Sequence, residues 1–117
     1  MTDLHEFKEE SFVLGNLLKE CYGLKQEMTE FHYGTCRGIY YTRDKKIIIN
    51  AIINDKPHNG VFELCMKHFE GMAREKRYDL VIAEIWNDEL YNHFLKRDYK
   101  PFKKFNGLIK SWRNCDL

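Results

Sequence analysis

The chain has 117 residues, enough for one domain around a single core. Charged residues make up 32% and hydrophobic residues 44%, which excludes a disordered chain, and a net charge of +1 gives no argument for a nucleic-acid or acidic partner. Cys21, Cys36, Cys65 and Cys115 form no CxxC or Cys/His ligand pair, no apolar run is long enough to span a membrane, and MTDLHEFKEES lacks a signal-peptide pattern, so reduced thiols, no metal and a cytoplasmic setting are expected.

Taken in order, residues 3–21 place Leu4, Phe7, Ser11, Leu14, Leu18 and Cys21 on one helical face, with Thr2 or Asp3 as N-cap and Gly15 as an interruption. Gly23 reads as a stop, and Leu24 to Phe31 as a second short helix. Helices are therefore expected over 1–31. Residues 35–42 read as a strand, Arg43-Asp44-Lys45 as its turn, and Lys46 to Ile53 as the returning strand of a hairpin. That last run is β-branched and nearly continuous, as a strand buried on both faces should be.

A loop, Lys56-Pro57-His58-Asn59-Gly60, leads into a helix. Its apolar stripe is read as Val61, Leu64, Cys65, His68, Phe69 and Met72. Leu80 to Trp86 is a second buried strand, and two such strands joined by a crossover helix run parallel. Asn87-Asp88 is a helix cap, and Glu89 to Lys96 puts Leu90, Tyr91, Phe94 and Leu95 on one face. Tyr99 to Phe105 alternates as a strand, Asn106-Gly107 turns, and Leu108 to Trp112 returns. The expected fold is α/β (α+β), a single domain over 1–117. It is a mixed sheet of about five strands with helices on both faces, and Ile48, Ile52, Leu64, Phe69, Val81, Ile85 and Phe94 share its core.

The helix start at Gly60 is the place where chemistry is expected. Its first N–H groups lack helical partners, carry partial positive charge and suit a phosphate, with Lys56, His58 and Asn59 beside them. The competing reading is a plain turn made by Pro57, Asn59 and Gly60. Glu84, inside a buried strand, is a candidate general base, because desolvation would raise its basicity. His68 reads as a core histidine. Tyr33, Tyr40 and Tyr41, alternating with Arg37 and Arg43, read as strand chemistry before they read as a base-stacking surface.

Two stretches, IIINDKPHNGVFELCMKHFEGMAREKRYDLVIAEIW and WNDELYNHFLKRDYKPF, carry a resemblance. Over residues 33–113 the chain resembles the GCN5-related N-acetyltransferase (GNAT) superfamily, with the family's first strand missing. The compact layout is similar to short acetyltransferase-like proteins of tailed bacteriophages, which would add a host cytoplasm or a virion as settings. The resemblance implies strand, pyrophosphate loop and long helix, then a strand ending near the acyl group. It implies acetyl-CoA as acyl donor, held by Ile53 and Asn54 on the strand, by Lys56, His58, Asn59, Gly60, Val61 and Phe62 at the loop and helix start, and by Asn87. Glu84 would take the proton of an amine, on a small molecule or a protein, with no nucleic acid and no membrane involved. A retained fold without turnover, serving as a binding or virion-assembly module, is the other expectation. Aligned on Gly60, Pro57 stands at the family's Gln/Arg position and Phe62 at its small-residue position, so a ring is expected to crowd the pyrophosphate. The family's tyrosine acid falls on Phe94, which has no proton to give, and a glycine position falls on Asp98.

Overall fold

Strand pairing, rather than helical periodicity, organises the described residues of the N-terminal third. A computed structural model describes residues 6–14, 26–56 and 60–114. Within them β1 (Phe7–Leu14), β2 (Gln26–Tyr33), β3 (Cys36–Arg43) and β4 (Lys46–Asn54) form an antiparallel series. Helix α1 (Val61–Lys76) crosses to β5 (Asp79–Ile82), which lies parallel to β4. Helix α2 (Asp88–Leu95), β6 (Lys100–Phe102), a 3-10 turn (Lys103–Phe105) and β7 (Gly107–Ser111) follow. The seven strands lie in the order β1-β2-β3-β4-β5-β7-β6. The fold is α+β, with a mostly antiparallel sheet.

Three expectations are corrected here. Where helices were expected within 1–31, the described residues form β1 and β2, because Phe7 pairs with Tyr33 and Leu14 with Gln26 along eight matched positions; residues 1–5 and 15–25 of that expectation lie outside the described ones. The proposed caps Thr2 and Asp3, and Gly15 and Gly23, lie outside the described residues. The sheet has seven strands instead of about five, β1 and β2 being the two that were not expected. The expected strand from Tyr99 to Phe105 is shortened to β6, because Lys103–Phe105 curl into a 3-10 turn that ends on Asn106 at φ 51.

The β4–α1–β5 order matches its pattern, but the expected strand Leu80 to Trp86 is shortened to Asp79–Ile82, because the chain beyond it bonds to the 3-10 turn, and β4 is buried only at residues 47–49. Ile47, Ile48 and Ile49 are all buried, with Ile47 and Ile49 under α1 and Ile48 on the opposite face with Val81 and Ala83. Both described helices feed the first cluster: α1 gives Cys65, Met66, Phe69 and Ala73, and α2 gives Phe94. Helices on both faces are thus not found among the described residues. The α1 stripe is also rotated from its expected place. Met66 and Ala73 are buried, whereas Leu64 is 39% exposed and His68 is exposed, its ring stacked on Phe7 at 3.8 Å. The proposed core therefore divides. Phe69 and Phe94 lie in the main cluster with Ile52 and Ile85 at its margin, Ile48 and Val81 lie across the sheet, and Leu64 is outside.

Candidate functional site

The two parallel strands part company halfway. β4 and β5 are in register from Lys46↔Asp79 to Ile49↔Ile82, and the Ala83 N–H still donates to Ile49 O at 3.0 Å. Beyond that point Glu84 N–H donates to Phe105 O and Ile85 N–H to Asn106 O, so the chain after β5 follows the 3-10 turn. β4 instead stays with β3. Its register slips at one place, where Ile39 faces Ala51 but Tyr40 faces Ile49, and Asn50 is the extra residue. Such a bulge bends a strand and increases its twist. Ala51, Ile52 and Ile53 consequently have a strand partner on one side only among the described residues, and Ile53 is 50% exposed. Asn50 is exposed, so it needs no buried partner.

The start of α1 lies at the same end of the sheet. Gly60 precedes it at φ 81, a left-handed conformation that a side chain disfavours, and as N-cap it has no side chain to close the helix start. Lys56 is exposed in the loop; Pro57, His58 and Asn59 lie outside the described residues. Asn54 Oδ1 accepts from the Thr35 hydroxyl at 2.7 Å and from Lys56 N–H at 3.2 Å, which ties the loop to β4 and to the β2–β3 turn. The ring of Phe62 is half-buried and lies 5.9 Å from that of Phe94. It is packed toward α2.

Other proposed residues fall in different surroundings. Glu84 is exposed at φ 55, just past β5, so the burial expected to raise its basicity is absent. Trp86 is 79% exposed near the same strand end. Asn87 caps α2, its Oδ1 accepting the Leu90 N–H at 3.1 Å, as the sequence suggests. Phe94 is 1% exposed, its ring centroid 5.0 Å from that of Tyr99. Tyr40 is buried and its hydroxyl donates to Glu9, so the aromatic hairpin is not an open stacking face.

One group of residues was not foreseen. Glu63 and Glu70, two turns apart on α1, face Arg97 and His93 from the α2 region. Arg97 bonds the Glu63 carboxylate and lies 3.4 Å from Glu70, while His93 Nε2 is 2.7 Å from Glu63. The Tyr99 hydroxyl donates to Glu70 at 2.7 Å, and burial together with that carboxylate pushes the tyrosine far above its ordinary range. The network joins α1 to α2 and neutralises an acidic residue in the first turn of α1. The i,i+7 spacing of the two glutamates was legible, but the position of Arg97 required the fold. Cys36 and Cys65 are free and buried; the hydrogen bond between them holds Cys36 below and Cys65 above the usual thiol range. Cys65 belongs to the core, as its place on the stripe suggests.

Among the described residues no group of His, Cys, Asp and Glu converges to hold a metal ion, and no helix is long and apolar enough to cross a membrane. Comparisons with protein-family models, curated proteins and solved structures return no match.

Proposed function

We propose that the chain is a divergent GNAT-like protein that binds acetyl-CoA in the wedge between β4 and β5 and transfers its acetyl group to an amine. The parting of β4 from β5 at Ile49 and Ala83, at the sheet end where α1 begins, carries this reading. The backbone of β4 near Ile53 and Asn54 would pair with the extended arm of the donor. The start of α1, with Gly60 and the Lys56 ammonium, would receive the pyrophosphate through N–H groups and the helix dipole. In the transfer the amine nitrogen forms a bond to the thioester carbon, the carbon–sulfur bond breaks, and the thiolate leaves. The amine proton passes to Glu84 directly or through water.

The alternative is a fold that keeps the ligand without the reaction, as a binding or virion-assembly module, consistent with a phage source. A specific observation favours it: the family's proton-donor position is the buried ring of Phe94, and the neighbouring Tyr99 hydroxyl is committed to Glu70. Thermal unfolding with acetyl-CoA tests the shared premise. At a hundredfold excess over Kd the ligand adds ~2.7 kcal/mol, or roughly 10 °C for a domain of this size. Lys56→Glu should reduce that shift. No shift at millimolar acetyl-CoA overturns the wedge reading. A shift without acetylation across a panel of amines selects the non-catalytic alternative.

A further inference from the structure

The face of the sheet away from α1 holds a concavity that reaches the ends of β4 and β5 remote from the wedge. Lys46 lies beside Asp79, Asp79 beside Ser111, and Lys100 beside Ile109. Leu80 and Ile82 face α1, so alternation sends Asp79, with Val81, to the other face. There Lys46, Lys100, Lys104 and Arg113 surround an open cavity of about 780 Å³, within the range of small-molecule sites. Phe102 and Ile109 give it an apolar floor. Lys110 also borders it, but its ammonium serves the other face, donating to Arg97 O at 3.0 Å and lying over the Tyr99 and Trp112 rings.

The cations are arranged around one buried carboxylate. Asp79 is 6% exposed, and its Oδ2 lies 3.1 Å from Arg113 Nε and 3.9 Å from Lys46 Nζ. Arg113 Nη2 also donates to Asp44 O at 3.2 Å, which fixes the plane of the guanidinium. Asp79 Oδ1 is buried with no hydrogen-bond partner among the described residues. Lys100 and Lys104 are exposed and have no carboxylate partner among them. Against these four cations stand only Asp79 and the exposed Asp98, in a chain whose net charge is +1. Two positive heads are thus held in place by Asp79, while the exposed Lys100 and Lys104, the latter with its ammonium 5.7 Å over the Phe105 ring, have no carboxylate among the described residues. A held guanidinium beside exposed ammonium groups suits a phosphate's several acceptor oxygens.

We propose that this cavity binds a small, multiply charged anion of the phosphate class, with an apolar or aromatic portion on Phe102 and Ile109. The site differs from the wedge in its face of the sheet and in its held pair: Asp79 and Arg113 lie at the Lys46 end of β4, about 26 Å from Asn54 at ~3.3 Å per residue, whereas Lys104 stands in the 3-10 turn that the chain follows beyond β5.

Calorimetry with inorganic tripolyphosphate and with ATP tests the proposal on the full chain and on a Lys100→Glu/Lys104→Glu variant. Micromolar binding that weakens with salt is expected, with at least a tenfold loss in the variant and an unchanged melting temperature. If the charge reversal impairs folding, Lys100→Gln/Lys104→Gln replaces it. Tighter binding of ATP than of tripolyphosphate supports the apolar floor; equal affinity overturns that part. No binding of either anion, or binding that the variant leaves intact, overturns the proposal. So does binding of an oligonucleotide alone. Acetyl-CoA itself carries phosphates, so its affinity is measured in the same variant. Retained affinity supports two sites, whereas loss assigns acetyl-CoA to this cavity and overturns their separation.

Discussion

The rotation of α1 offers the sharpest test of the packing. Leu64 and Phe69 are five residues apart, hence about 140° apart around the helix. The apolar stripe read from sequence puts both inside and sets the cost of Leu64→Ala at ~2–5 kcal/mol. The structure separates them. Phe69 is fully buried, with the rings of Phe31, Tyr40 and Phe7 edge-on at 4.9, 5.2 and 5.4 Å. Phe69→Ala should cost ~3–5 kcal/mol, since the cavity left among three aromatic rings cannot collapse fully. Leu64 is 39% exposed. Its truncation removes three carbons, each worth ~0.8 kcal/mol when fully buried, and leaves a gap that water fills, so ~1 kcal/mol is expected. Urea titration with a slope of ~1–3 kcal/mol per molar should then separate the two midpoints by about a molar or more. Phe69→Leu gives a milder variant if the alanine does not fold. Equal costs, or a greater cost for Leu64→Ala, would refute the orientation of α1.

Two glycines should respond oppositely to alanine. A Cβ on Gly38 would sit 2.0 Å from Ala51 O on the adjoining strand, so Gly38→Ala should cost ~1–3 kcal/mol or more; Gly71 has open space around it in mid-helix, and Gly71→Ala should stabilise by ~0.5–1 kcal/mol. Thermal or urea unfolding reads both, and a harmless Gly38→Ala would mean that β3 and β4 do not meet there. Tyr40 and Tyr99 are pushed above the ordinary phenol value, chiefly by burial and then by Glu9 and Glu70. A raised folded pKa favours the native state fully below the unfolded value near 10, and this contribution is lost as pH climbs above it. Ultraviolet titration should show these two tyrosines ionising last, together with unfolding; a single step near pH 10 for every tyrosine would contradict their burial.

The β4–α1–β5 unit was legible because each piece carries a strong local signal. Three consecutive isoleucines fit only a strand covered on both faces, and a sixteen-residue helix has room to show its period. The N-terminal strands were not, because Phe7 and Leu14 fit a helical spacing as well as a paired strand over so short a window. Their conformation is decided by partners in Gln26–Tyr33, which a local reading does not see. The face of α1 depended on those same strands, since Phe7 and Phe31 supply the rings that Phe69 meets. The sequence marked the loop at Gly60 as a site but hid the wedge, whose only trace was Asn50 within a run of isoleucines.

That division bears on how such a site diverges. What the wedge would offer a ligand is main chain: one edge of β4 at Ala51–Ile53 and the start of α1. Backbone groups persist through side-chain substitution as long as the strands and the helix hold their places. Transfer of a proton has no such protection, because it needs a particular side chain at a particular point. Here one candidate is a core phenylalanine, a second hydroxyl is held by Glu70, and the remaining carboxylate, Glu84, lies exposed beyond β5. On the proposed reading, substitution would therefore erode the reaction before it erodes binding. Measured affinity for acetyl-CoA and measured turnover should accordingly be treated as independent properties of this chain.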